Sequence, residues 1–103
     1  MMVKVSNWML ISLKIHSSYK LTITNKAYHY LKKIGRKNHN DAKSILETIT
    51  EIPKNPYDFA LLKGNFNKVR RVKVGSYRIL FDIDENKNPS EVRIIDVGKR
   101  KNI

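Results

Sequence analysis

Lys68-Val-Arg-Arg-Val-Lys-Val-Gly-Ser-Tyr-Arg-Ile-Leu-Phe-Asp-Ile83 reads as a β-hairpin with one apolar and one cationic face. Two β-rich runs flank Gly75-Ser76, a pair that suits a two-residue type II′ turn. Such a turn predicts Val74 opposite Tyr77, Lys73 opposite Arg78, Val72 opposite Ile79 and Arg71 opposite Leu80. Side chains alternate between faces along a strand. One face therefore carries Val72, Val74, Tyr77, Ile79, Phe81 and Ile83, and the other carries Arg71, Lys73, Arg78 and Leu80. The apolar face needs a core and the cationic face needs an anion. Like charges directly opposite one another destabilise a sheet, so a chain that sets Lys73 against Arg78 is expected to use that charge.

The rest of the composition agrees. At 103 residues, 41% hydrophobic and 29% charged, the chain has the make-up of one globular domain. Its net charge of +12 points to a polyanionic partner, nucleic acid first, an acidic protein second and an anionic membrane third. Cysteine is absent, which excludes disulfides and thiolate metal sites, and the cytoplasm is the expected compartment. His16, His29 and His39 have no metal-ligand spacing, so neither a metal nor another cofactor is expected. The run Asp82, Asp84, Glu85 is read as salt-bridging or edge-strand charge, because Asp82 shares a face with Arg71 and Lys73. The apolar stretch Trp8–Leu13 is too short to span a bilayer and lacks a small-residue cleavage site.

Working outward from the hairpin, Tyr19–Thr24 alternates as a first strand. Thr24 or Asn25 can cap a helix whose apolar positions are Ala27, Leu31 and Ile34, with Gly35 as its stop. A polar link, Arg36–Asn40, leads to a second helix with Ala42, Ile45, Ile49 and Ile52 on one stripe, ended by Pro53 and Pro56. A short strand at Phe59–Lys63, the hairpin, a loop at Asp84–Ser90 and a last strand at Glu91–Val97 complete the order β-α-α-β-β-β-β. That order predicts an α+β domain over residues 19–103, with two N-terminal helices on one face of a small, twisted, mainly antiparallel sheet. Residues 1–18 stand apart as an extension: an extra strand, a disordered leader, or residues upstream of the natural start.

Leu62-Lys63-Gly64, then Arg71-Val-Lys-Val-Gly-Ser-Tyr-Arg-Ile-Leu-Phe81, then Ile95-Asp-Val-Gly-Lys-Arg100 resembles the RelE/ParE toxin superfamily, and its RelE branch more nearly. The resemblance covers about residues 19–103. It implies the toxin of a type II toxin–antitoxin pair that enters the ribosomal decoding site and cuts messenger RNA. A RelB-like antitoxin, usually acidic, would silence it in a hetero-oligomer, and no membrane is involved. A ParE-like gyrase inhibitor, a RelE relative that blocks the ribosome without cutting, and a basic RNA-binding module stand as alternatives. The family's site carries over to Arg78 at the scissile phosphate and Arg100 in the closing Gly-Lys-Arg. Arg71 and Lys73 fall on the preceding basic strand, and Lys63, Lys68, Arg70 and Lys99 are expected to bind substrate. The chain departs from the pattern at Lys101-Asn-Ile103, where no counterpart appears to the tyrosine that RelE nucleases carry beyond the last arginine.

The chemistry can also be argued from the residues. Metal-free RNA cleavage needs the 2′-hydroxyl to attack the adjacent phosphorus in line, giving a 2′,3′-cyclic phosphate and a free 5′-hydroxyl. Cations fixed in place stabilise the charge that grows on the phosphoryl oxygens, each worth about 3–4 kcal/mol of barrier. Arg78 and Arg100 suit that task, since a guanidinium is planar, bidentate and permanently charged. Lys73, beside Arg71 and Arg78, is expected to have its pKa lowered by like charges and to act as general base.

Overall fold

In strand β2 (Lys20–Thr24) Leu21 and Ile23 point into the core, and where the alternation stops helix α1 (Asn25–Lys37) begins. The computed structural model describes residues 2–4, 19–62 and 68–100. Thr24 is the N-cap of α1: its Oγ1 accepts from the Ala27 N–H at 3.3 Å and donates to the Ile95 carbonyl at 2.6 Å. One hydroxyl thus ends the strand, starts the helix and pins both to the last strand. Helix α1 buries Ala27, Leu31 and Ile34. Helix α2 (His39–Glu51) buries Ala42, Ile45 and Ile49, and Ile52-Pro53-Lys54 tightens into a 3₁₀ turn beyond it.

Two expectations are corrected here. Gly35 does not stop α1, which runs on to Lys37, and the link Arg36–Asn40 shrinks to Asn38. Asn38 serves both helices. Its N–H donates to the Ile34 carbonyl at 2.7 Å, and its side-chain oxygen accepts from the Asp41 N–H at 3.1 Å. A residue that satisfies orphan groups on two helices at once removes the need for a longer connection.

The sheet order is β1-β2-β5-β4-β3, with β1 at Met2–Lys4, β3 at Arg70–Val74, β4 at Tyr77–Asp84 and β5 at Glu91–Lys99. All neighbours are antiparallel except β2 and β5, which run parallel. Strand β1 pairs with the outer edge of β2. The expected strand at Phe59–Lys63 is reduced, over its described part, to a single bridge between Leu61 and Arg70. Two 3₁₀ turns, each with a proline near its start, keep that segment from lying flat along β3.

Strand β5 extends two residues beyond the predicted end, to Lys99, and contains a bulge. Leu80 opposes Asp96 while Phe81 opposes Ile94, which leaves Ile95 as the extra residue. The bulge resets the alternation, so Ile94 and Val97, three apart, both reach the helix-side core with Ile79 and Phe81. Each fully buried side chain of this size contributes about 1.5–3 kcal/mol. The helices cover one face of the sheet, and the other carries Arg71, Lys73, Arg78, Leu80 and Asp82.

Candidate anion site at the hairpin tip

The hairpin pairs as its sequence predicts, Val74 with Tyr77, Lys73 with Arg78, Val72 with Ile79 and Arg71 with Leu80. Gly75 has φ +57° and Ser76 stays on the negative side, as a type II′ turn requires. The β4–β5 ladder continues to this tip, with Arg78 opposite Gly98 and Tyr77 opposite Lys99. Beyond it the Arg100 N–H donates to the Ser76 carbonyl at 2.9 Å. The end of β5 is thereby stapled to the turn, and Gly98 offers no side chain to fill the space across from Arg78. An open cavity of about 620 Å³ results, lined by Ser76, Arg78, Lys99 and Arg100.

The position of Lys99 is set from beneath. Its Nζ lies 4.7 Å from the centre of the Tyr77 ring, a cation–π distance. Tyr77 is buried on the helix side and its hydroxyl donates to Asp41 Oδ2 at 3.1 Å. Burial, and then the bond to Asp41, push the Tyr77 hydroxyl above its usual pKa of 10.0. Asp41 stands in the first turn of α2, so a helix terminus, a ring and a lysine form one line of support.

The open face divides into two halves. Near the turn, Lys73 is exposed directly across from Arg78, with half-buried Arg71 on the same strand. At the far end Arg93 forks onto Asp82 through two bonds of 3.0 and 2.6 Å, and this pairing holds the guanidinium pKa above its ordinary value. Asp82 thus forms a salt bridge, with Arg93 rather than with Arg71 or Lys73. The ion pairs among the described residues are Lys26–Asp96, Lys54–Glu51 and Arg93–Asp82, and none engages Arg71, Lys73, Lys99 or Arg100. Unlike the Asp82 end, the tip sets these cations against no described carboxylate.

The remaining candidates lie elsewhere. Arg70 points away from the open face, stacks 5.1 Å from the Tyr57 ring and donates to the Phe59 carbonyl at 2.6 Å. It ties down the segment after α2 and does not line the cavity. Lys68 is exposed at the entry to β3 with φ +64° and does not line it either. Lys63 falls outside the described residues, as does Lys101–Ile103. Sequence pattern does not single out Ser76 or Asp41 as site residues, because the turn staple and the tyrosine anchor are tertiary contacts. The cavity's lining can hold an oxyanion by charge and hydrogen bonding. Among the described residues neither a carboxylate nor an imidazole lines it, and no group of His, Asp and Glu among them could hold a metal ion. No described helix is long and apolar enough to cross a membrane.

The family model for the ParE toxin of type II toxin–antitoxin systems, parDE, matches residues 21–103. No curated protein matches the chain. Among solved structures, the YoeB/ParE toxin from Agrobacterium tumefaciens is similar at TM-score 0.68 and 14% identity, covering 79% of this chain and 98% of that one. The toxin–antitoxin complex RelBE2 from Mycobacterium tuberculosis aligns at TM-score 0.58 and 23% identity, covering 80% and 98%. The YoeB dimer from Staphylococcus aureus aligns at TM-score 0.61 and 17% identity, covering 78% and 94%. These likenesses establish the fold: two helices on one face of a mixed sheet, shared nearly end to end with proteins shorter than this chain.

Proposed function

The chain belongs to the ParE toxin family of type II toxin–antitoxin systems, and from that premise we propose that it is a metal-independent endoribonuclease acting on messenger RNA in the ribosome. The supporting observation is the convergence of Arg78, Lys99 and Arg100 on one open cavity, with Lys73 directly across from Arg78. A phosphodiester seated there meets two guanidinium forks and an ammonium. The 2′-hydroxyl gives its proton to the Lys73 amine, the assigned base. The 2′-oxygen bonds to phosphorus, the bond from phosphorus to the 5′-oxygen breaks, and that oxygen draws its proton from water while Arg100 offsets its charge. Arg78 stabilises the phosphoryl oxygens through the crowded state. An acidic antitoxin related to RelB neutralises the same cations in a toxin–antitoxin hetero-oligomer; ribosome and messenger RNA are the targets.

A second reading, inhibition of gyrase, is favoured by the family description, which names ParE. A cell-free translation reaction with primer extension on the message separates the two. Cuts inside codons at the decoding site are expected. Intact message with stalled ribosomes overturns cleavage in favour of blocking, and DNA breaks with added gyrase favour the second reading. Arg78→Ala is expected to slow cutting by about 10²–10³, the usual effect of losing one preorganised donor. Lys73→Ala abolishes cutting and leaves ribosome association largely intact; near wild-type cutting by that variant removes Lys73 as the base.

A further inference from the structure

Strand β2 pairs with β5 only as far as Ile94, because at Thr24 the chain turns into α1. Past that point the tail of β5 runs beside the first turns of the helix instead of beside a strand. A second cavity, of about 380 Å³, opens between them, and its lining includes Lys26, His29, Tyr30, Lys33, Asp96 and Lys99. Lys99 also lines the first cavity, so the two adjoin.

The charge of this groove is positive for a stated reason. Asp96, the one carboxylate among its described lining residues, is neutralised by Lys26 at 3.1 Å, and its other oxygen accepts from the Val97 N–H at 2.9 Å. Lys33, Lys99 and the exposed imidazole of His29 remain, with the half-buried ring of Tyr30 between them. Cations interleaved with an aromatic surface suit a single nucleic-acid strand, whose phosphates and bases alternate in the same way.

We propose that this groove is a second RNA-binding subsite, holding the phosphates next along the strand from the one seated at Arg78 and Arg100. The contact presupposes RNA in the first cavity. It makes Lys33 and His29 specificity-free holding groups that act on strand length and leave the cleavage chemistry to the hairpin tip.

Binding of fluorescent 2′-O-methyl RNA, which cannot be cut, tests this by anisotropy over a series of salt concentrations. The probes are a dinucleotide and a strand of about eight nucleotides. For the longer strand Lys33→Ala is expected to weaken binding and to reduce the slope of log K against log salt by about 0.7, the contribution of one single-strand phosphate contact. The dinucleotide should bind Lys33→Ala and wild type alike, and Arg78→Ala should weaken both probes. Lys87→Ala, which removes an exposed lysine of the β4–β5 loop, controls for net charge. An unchanged slope in Lys33→Ala, or an equal loss in Lys87→Ala, overturns the second subsite alone. Insensitivity of the dinucleotide to Arg78→Ala overturns the RNA reading of the first cavity and this proposal with it. Displacement of the longer strand by polyglutamate as effectively as by unlabelled RNA marks the groove as a peptide site and also overturns it.

Discussion

Gly75 carries the hairpin tip at φ +57°, a conformation that costs a residue with a Cβ about 1–2 kcal/mol. No atom would obstruct that Cβ, so the cost is purely backbone strain. Gly75→Ala is therefore expected to lower the unfolding free energy by that amount, read as a lower urea midpoint at unchanged m-value. It should also weaken anion binding, because the turn's Ser76 carbonyl is what holds the Arg100 backbone. Full stability in the alanine variant would show that the turn relaxes to another type. A second test concerns the support under Lys99. Tyr77→Phe removes the bond to Asp41 but keeps the ring, and is expected to cost about 0.5–1.5 kcal/mol in the same assay. Opposite pairing on a two-residue turn made the cluster of Lys73, Arg71 and Arg78 legible from the letters alone. Arg100 was legible only through the family resemblance, since nothing local says that the chain end returns to the turn. The sideways use of Arg70 was hidden for a similar reason, because its partners Tyr57 and Phe59 are more than ten residues away.

At the scale of elements, local rules succeed where one periodicity governs and fail where a residue serves two elements. The stripes Ala27-Leu31-Ile34 and Ala42-Ile45-Ile49 are core as their spacing predicts. Glycine as a helix stop fails at Gly35, because Asn38 supplies both caps and lets the helix continue. Gly35 is thus an interior helical glycine, and an added Cβ would meet only the Ala42 Cβ at 3.8 Å, an ordinary contact. Gly35→Ala is expected to stabilise the protein by up to about 1 kcal/mol through helix propensity. Asn38→Ala is expected to destabilise it by about 1 kcal/mol through the lost cap. Thermal unfolding of the two variants should move in opposite directions; a fall in both would mean that the helices cannot approach more closely than glycine allows. The bulge at Ile95 is likewise invisible in the sequence, where Ile94-Ile95 looks like a simple buried run. Its effect reaches the hairpin tip, since the reset alternation places Gly98, not a bulky residue, opposite Arg78.

Over the whole molecule 21 Lys and Arg face 9 Asp and Glu, and several of the carboxylates tie separate segments of the fold together. Glu85 does this for two separate segments. Its carboxylate accepts from Tyr57 after α2 and from Tyr19 before β2, at 2.5 and 3.3 Å. The Ser90 hydroxyl, then Tyr57, hold the Glu85 carboxyl below its usual value of 4.5. The same contact raises the Tyr57 hydroxyl above 10.0. For a depressed carboxyl the linked stability is complete above the unfolded pKa and is lost as pH falls through the folded one. Acid should therefore loosen the junction of β2, the β4–β5 loop and the segment after α2 before it reaches the core. Melting temperature followed by circular dichroism is expected to fall in the wild type as pH drops below the ordinary carboxyl value of 4.5. Glu85→Gln should melt lower than wild type at neutral pH and show a shallower fall on the acid side, because it has no proton to gain there. Parallel acid limbs for the two proteins would place the acid sensitivity in other carboxylates and reduce Glu85 to a surface contact.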